Sequence, residues 1–330
     1  MKKIALTGIK PTGIPHVGNY FGAIKPAIEL ANNEDLDSFY FIADYHALNQ
    51  IKDIKELQEY TKELACVWLA CGLDPKKICL YKQSQVPEVT ELTWLLCNVT
   101  SKGLMNRAHA YKALVEKSVA NNDDPDALVN MGLFNYPILM AADILLFNTK
   151  YVPVGLDQKQ HVEMARDIAK AFNKRFGNTF VIPQELIKEE VATIYGNDGR
   201  KMSKSYNNAC PLFCSEQELK KYVSRITTDS SLPNEPKSTN SAIFKLYELF
   251  ATESQKKEMA ERFKNGISWA DAKNELFNVM NNYLLPMREK YNYLKSNYHI
   301  VEKILEDGSV RAREIAKQTI QRARKAMGLD

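Results

Sequence analysis

Over the first two-thirds of the chain, short apolar runs alternate with amphipathic stretches of helical period. Ile4 to Leu6 is a brief apolar strand, followed by a loop carrying Gly8, Pro11, Gly13 and Pro15. A helix from Val17 to Ala31 comes next, then a buried strand from Ser38 to Ala43. Ile54 to Cys71 reads as an amphipathic helix stopped by Gly72, and Ile78 to Tyr81 as another strand. After a long helical stretch, Tyr151 to Val154 runs into Gly155, and Lys159 to Phe172 returns to helical period. Strands alternating with helices predict an α/β fold: a parallel sheet with helices on both faces. Ligands of such sheets bind beyond the carboxyl ends of the strands. The loops after Leu6, Ala43 and Val154 are therefore expected to converge on one crevice.

Past Ser215 the strand signals fade and helical period dominates, over Ser241–Thr252, Ser254–Asn265, Ser268–Tyr291 and Ser309–Ala326. Pro286 is expected to kink the third of these. The pattern predicts a Rossmann-like parallel-sheet domain over residues 1–214 and a mostly helical domain over 215–330, its last helix packing back on the first. Asn121–Asp126 and Asp229–Asn240 read as exposed loops.

Composition changes this picture little. The 330 residues are 45% hydrophobic and 25% charged with a net charge of +4, which permits a nucleic-acid partner without demanding one. The six cysteines, Cys66, Cys71, Cys79, Cys97, Cys210 and Cys214, lack metal-ligand spacing and read as reduced core thiols. The five histidines also lack such spacing, so no structural metal is expected. No apolar run reaches membrane-spanning length, and the first residues enter a strand directly, so a cytoplasmic protein is expected.

Two loops carry chemistry. The first ends in Pro15-His16-Val17-Gly18-Asn19 at a helix start, where free backbone N–H groups and the helix dipole favour an anion. His16 and Asn19 can donate to phosphate oxygens, Gly18 gives room for a flat base, and Lys10 and Thr12 add a cation and a hydroxyl. Taken alone, the segment is also an ordinary strand-to-helix turn with a surface histidine. The second loop, Lys201-Met202-Ser203-Lys204-Ser205, is preceded by Gly196, Asp198 and Gly199. Two lysines on a glycine-flanked loop suit a clamp that closes on a polyphosphate; a plain basic surface loop is the alternative.

The two segments together, in this order, resemble the HIGH and KMSKS signatures of class I aminoacyl-tRNA synthetases, the second at every position. A third segment narrows the resemblance. Tyr136 to Phe147 is apolar except for Tyr136 and Asp143, and a buried carboxylate needs a donor. An indole offers one N–H and no acceptor, and Met140 is placed to pack on such a ring. Pairing with a distant Arg or Lys, or capping a neighbouring loop, is the alternative. Met140-Ala141-Ala142-Asp143, Val152-Pro153-Val154-Gly155 and Asp157-Gln158-Lys159-Gln160-His161 resemble bacterial-type tryptophanyl-tRNA synthetases, a likeness that covers nearly the whole chain.

The resemblance implies a tryptophan-binding set of Asp143 on the indole N–H, Met140, Val152 and Val154 around the ring, and Tyr136 and Gln158 toward the amino group, with His46 near. It implies ATP contacts at Lys10, Pro11, Thr12, Gly18, Asn19, Gly155, Leu156, Asp157 and Ile194, and along Lys201, Met202, Ser203, Lys204 and Ser205. Catalytic roles fall on His16, Asn19, Lys201 and Lys204, with magnesium on the ATP phosphates. Asp157 is also placed to cap the following helix. His109 and His161 read as structural or polar-network residues. The implied partners are tRNA(Trp) and a second copy of the chain. The basic residues Arg311, Arg313, Lys317, Arg322, Arg324 and Lys325 read either as a tRNA footprint or as a solvated face. Leu156, Leu6 and Lys10 stand where the family commonly has Glu, Phe and Gln, and the loop before KMSKS is one residue short, which bears on the placing of Ile194. Three other readings remain: a tyrosyl-tRNA synthetase, another nucleotidyltransferase with an HxGH-type turn, and a non-catalytic RNA-binding or regulatory paralogue.

Overall fold

The structure, a computed structural model, describes residues 2–187 and 194–329, except for the side chain of Asp157. Five parallel strands form one sheet: β1 Lys3–Ile9, β2 Leu36–Ile42, β3 Cys79–Lys82, β4 Tyr151–Val154 and β5 Gln184–Ile187. Their order is β3-β2-β1-β4-β5. The winding reverses between β1 and β4, and the crevice beyond their carboxyl ends is the switch point where such sheets take ligands. β5 has no counterpart in the hydrophobic pattern because it is a largely exposed strand at the sheet's end.

Helices pack on both faces. They are α1 Val17–Asn19, α2 Lys25–Ala31, α3 Asp44–Ala47, α4 Ile54–Ala70, α5 Glu88–Cys97, α6 Lys102–Met105, α7 His109–Ala120, α8 Met131–Leu146 and α9 Lys159–Phe176. The later helices are α10 Glu216–Ser224, α11 Ala242–Phe250, α12 Glu253–Asn265, α13 Trp269–Ser296 and α14 Tyr298–Met327. The helix expected over Val17–Ala31 is interrupted by a π-helical turn, Tyr20–Ile24. Pro26, just beyond, has no N–H to give to an α-helical turn. Pro286 does not end α13, which runs on to Ser296.

Alternation along the strands builds two cores. Tyr40, Ile42 and Leu80 face one core, with Val17, Leu64, Trp68, Leu219, Phe244 and Leu276. Phe39, Phe41, Cys79 and Tyr81 face the other, with Leu92, Ala141, Leu146, Val162 and Phe172. All six cysteines are free thiols. Among the described residues, no helix is long and apolar enough to cross a membrane.

The last helix departs from the sequence expectation. It starts at Tyr298, not Ser309, because Gly308-Ser309 is not a break but a point of contact. A Cβ on Gly308 would lie 1.8 Å from the Leu80 carbonyl oxygen of β3, and the Cys79 thiol donates to the Gly308 carbonyl at 3.1 Å. Val301 and Leu305 of α14 join the first core, while Ala312, Ala316 and Ile320 join the second. The helix thus passes round the β3 edge from one face of the sheet to the other. Four of its arginines are held within the chain: Arg311 pairs with Asp37, Arg313 with Glu88, Arg324 with Glu91, and Arg322 donates to Asn148. The helix turns Arg311 and Arg313, half-buried, toward the sheet unit, while Arg322 and Arg324 are paired and yet exposed. In the loop read as exposed, Lys237 is buried, its ammonium donating to the carbonyls of Leu232 and Glu235.

Candidate active site

The loop leaving β1 ends at His16, which caps α1. Its Nδ1 accepts from the Asn19 N–H at 3.3 Å, and Asn19 Oδ1 accepts from the His16 N–H at 3.0 Å. This reciprocal cap uses the acceptors of both side chains. The imidazole proton then sits on Nε2, leaving that N–H and the Asn19 amide as donors. Burial, helped by the positive charge of Lys204, lowers the His16 pKa to about 4, so the ring is neutral at physiological pH.

The two signature loops lie against each other. The Gly18 N–H points at the Met202 sulfur, 3.2 Å away. A Cβ at Gly18 would meet the His16 ring at 2.9 Å and Met202 at 3.4 Å, so the room expected there for a base is taken by these two side chains. Gly13, with φ +124°, would place a Cβ 2.6 Å from the Lys204 ammonium. Glycine therefore fits Gly13 on both counts, backbone conformation and space. Desolvation in this position lowers the Lys204 pKa. A backbone strap fastens the junction: Val17 N donates to the Cys210 carbonyl at 2.9 Å and Leu212 N to the Pro15 carbonyl at 3.1 Å.

Within the second loop, Met202 N donates to the Ile194 carbonyl at 2.7 Å, and Ser203 N to Asn208 Oδ1 at 2.8 Å. Asn208 in turn donates to Asp198 at 2.7 Å and to the Lys201 carbonyl at 3.1 Å. The Asn208 hydrogen bond, with those from Arg200, holds Asp198 down at about 2. Met202 is buried as the anchor, while Lys201, Lys204 and Ser205 are exposed. Lys10, Thr12, Gly155 and Leu156 are exposed and Pro11 is buried beyond the ends of β1 and β4. The side-chain role expected of Asp157 lies outside the described residues.

A second constellation lies deeper. Asp143, on α8, is 3% exposed. His46 Nε2 lies 2.9 Å from Oδ2, and Gln83 Nε2 donates to both carboxylate oxygens at 2.8 and 2.9 Å. The sequence alternatives for Asp143, a distant Arg or Lys or a loop cap, are not what the structure holds. Burial raises the Asp143 pKa; the hydrogen bonds and charge from His46, and the bond from Gln83, act against it. Gln83 was not foreseen, although it directly follows β3 and so lies beyond the carboxyl end of a strand. Val152 is buried, and Met140 and Val154 are half-buried against the same core. Beside them, Tyr136 Oη lies 2.5 Å from His161 Nε2, and His161 Nδ1 lies 2.9 Å from Gln158 Oε1. His161 is thus a polar-network residue, as expected, linking Tyr136 to Gln158. The His46 and Tyr136 rings approach edge to face at 6.4 Å. Among the described residues, no group of three or more His, Cys, Asp or Glu could hold a metal ion.

Comparison with known proteins agrees with this geometry. The family model for class I tRNA synthetases (W and Y) matches residues 2–285. The tryptophan–tRNA ligase of Pseudomonas putida is 52% identical over 328 residues, covering 98% of this chain and 73% of its own. The crystal structure of tryptophanyl-tRNA synthetase from Campylobacter jejuni, complexed with ADP and tryptophan, superposes with a TM-score of 0.90 at 43% identity. That match covers 99% of this chain and 100% of the other. A tyrosyl-tRNA synthetase from Aeropyrum pernix shares the fold, with a TM-score of 0.64 at 16% identity over 93% of this chain and 90% of its own.

Proposed function

The chain belongs to the class I tRNA synthetases for tryptophan and tyrosine, and from that premise we infer that it activates L-tryptophan with ATP and transfers it to tRNA(Trp). The identity to tryptophan–tRNA ligases along nearly the whole chain carries the reading. It is supported by a buried carboxylate set among apolar side chains, suited to an indole N–H. ATP–pyrophosphate exchange measured against all the amino acids tests it, with tryptophan expected to stand alone.

The tryptophan carboxylate is already a nucleophile at neutral pH, so activation needs no general base. It attacks the α-phosphorus of ATP in line, forming the acyl–phosphate bond while pyrophosphate leaves. Positioning and charge stabilisation are the protein's part. We assign these to the His16 Nε2–H, the Asn19 amide and the ammonium groups of Lys201 and Lys204. The remaining KMSKS backbone, Lys10, Pro11, Thr12, Gly18, Gly155, Leu156, Asp157 and Ile194 are assigned to the nucleotide, which arrives as its magnesium complex. Asp143 is assigned to the indole N–H, Met140, Val152 and Val154 to the ring, and Tyr136, Gln158 and His46 to the amino-group side. A ribose 2′-hydroxyl at the tRNA 3′ end then attacks the adenylate carbonyl, and AMP leaves.

Residues 1–214 serve as the catalytic domain in this reading, and 215–330 meet the anticodon region. Because Arg311, Arg313, Arg322 and Arg324 each have a partner within the chain, the RNA contact is assigned to α10–α13. The working unit in this reading is a cytoplasmic homodimer.

A further inference from the structure

We propose that Gln83 is a positioning residue for amino-acid selection: it holds the Asp143 carboxylate in the orientation that presents one open oxygen lone pair to a ring N–H. The proposal rests on the tryptophan reading above and deepens it.

Gln83 is 1% exposed, and its amide nitrogen is spent on Asp143 alone, reaching both oxygens. Its own Oε1, also buried, has no hydrogen-bond partner. A buried acceptor left unmet is destabilising, so the side chain is placed for its donor end. An ionised carboxylate has about four acceptor positions. Gln83 and His46 make three contacts with it, and Oδ2 takes two of them. Oδ1 keeps capacity for one more donor.

The clamp is itself fixed. Ser84 N donates to Asp44 Oδ1 at 3.0 Å, the Ser84 hydroxyl donates to the same carboxylate, and Lys82 N donates to Gln85 Oε1 at 3.3 Å. Asp44 and His46 both belong to α3, so one short helix fastens the Gln83 turn and supplies the second contact to Asp143. The remaining charged and titratable groups around Asp143 have other engagements or oppose its charge. Asp44 and Tyr81 lie near and are acidic groups. On α9, His161 bonds to Tyr136, and on α5, Glu88 is paired with Arg313 of α14. Gln83 and His46 are therefore the groups that keep a buried Asp143 charged and aimed. A charged acceptor at fixed orientation rejects a ligand of the same shape with no N–H, because its open Oδ1 position would then stay unmet.

The test is exchange kinetics of Gln83→Met, nearly the same shape with no donor, using tryptophan and benzothienylalanine, in which sulfur replaces the ring N–H. Gln83→Asn, which keeps an amide one methylene short, is the second variant if the first melts early. The expected result is a fall of about tenfold or more in the preference for tryptophan over the analogue. Turnover at saturating tryptophan should fall less than kcat/KM does, and the acid limb of kcat/KM for tryptophan should move to higher pH, since Asp143 takes a proton more readily without its clamp. Equal losses for both substrates, or an acid limb that does not move, would overturn the proposal. Wild-type exchange with tyrosine in place of tryptophan would sink the functional reading as well. Wild-type exchange with tryptophan, beside a variant of undiminished preference, would sink the inference alone.

Discussion

The two halves of the site are built in opposite ways. Around Asp143 the acceptor is buried, fixed by two partners before any ligand arrives, and set among rigid helices and a strand end. Around Lys204 the charged groups are exposed on a loop held by one buried methionine and a few backbone bonds. The difference follows from the task. Choosing between similar amino acids needs an acceptor whose unpaired state is costly, which means burial. Stabilising a charge that develops and then leaves needs cations that can follow the phosphates, which suits a loop.

Lys204→Ala should break the comparison first if it is wrong. Turnover in pyrophosphate exchange is expected to fall about 10²- to 10³-fold, as for loss of one preorganised charge contact, with the KM for tryptophan nearly unchanged. A matching rise in that KM would mean the two halves are not separable. Asp143→Asn comes next and should do the reverse. It keeps the shape but removes the charge, so kcat/KM for tryptophan should fall about 10- to 10²-fold, mostly through KM. Alanine is the poorer probe, because it would strand the buried groups of Gln83 and His46. The smallest effect concerns His16. Unfolded histidine binds a proton near pH 6.5, whereas His16 in the fold does so at about 4. Between these values the unfolded chain holds more protons, so this residue's effect is to lower stability as pH falls through that window. An imidazole titration by NMR should show the low value, and Lys204→Ala should raise it by removing the neighbouring positive charge.

Legibility in the sequence followed the same division. The phosphate loops are contiguous motifs that act through backbone and neighbouring side chains, so His16, Gly18, Met202 and Lys204 were readable in place, and the structure brings them together. Asp143 was readable as a buried acid, and His46 came only with the family resemblance. Gln83 left no signal in period or composition, since its partner lies 60 residues away and only the tertiary fold joins them. The strand β5 was missed because it is too exposed to alternate. The start of α14 was misplaced because a glycine that serves close approach looks, in one dimension, like a helix end.

That same glycine bears on how the chain survives its own synthesis. β3 ends the sheet on one side, and an uncovered edge strand is a template on which foreign strands add. α14 is made after every strand, so a nascent sheet must wait with that border open until Gly308 settles on Leu80. A chain cut before Tyr298 would keep the whole catalytic crevice, yet it should be lost from solution as polymer, for want of the helix that acts as the seal.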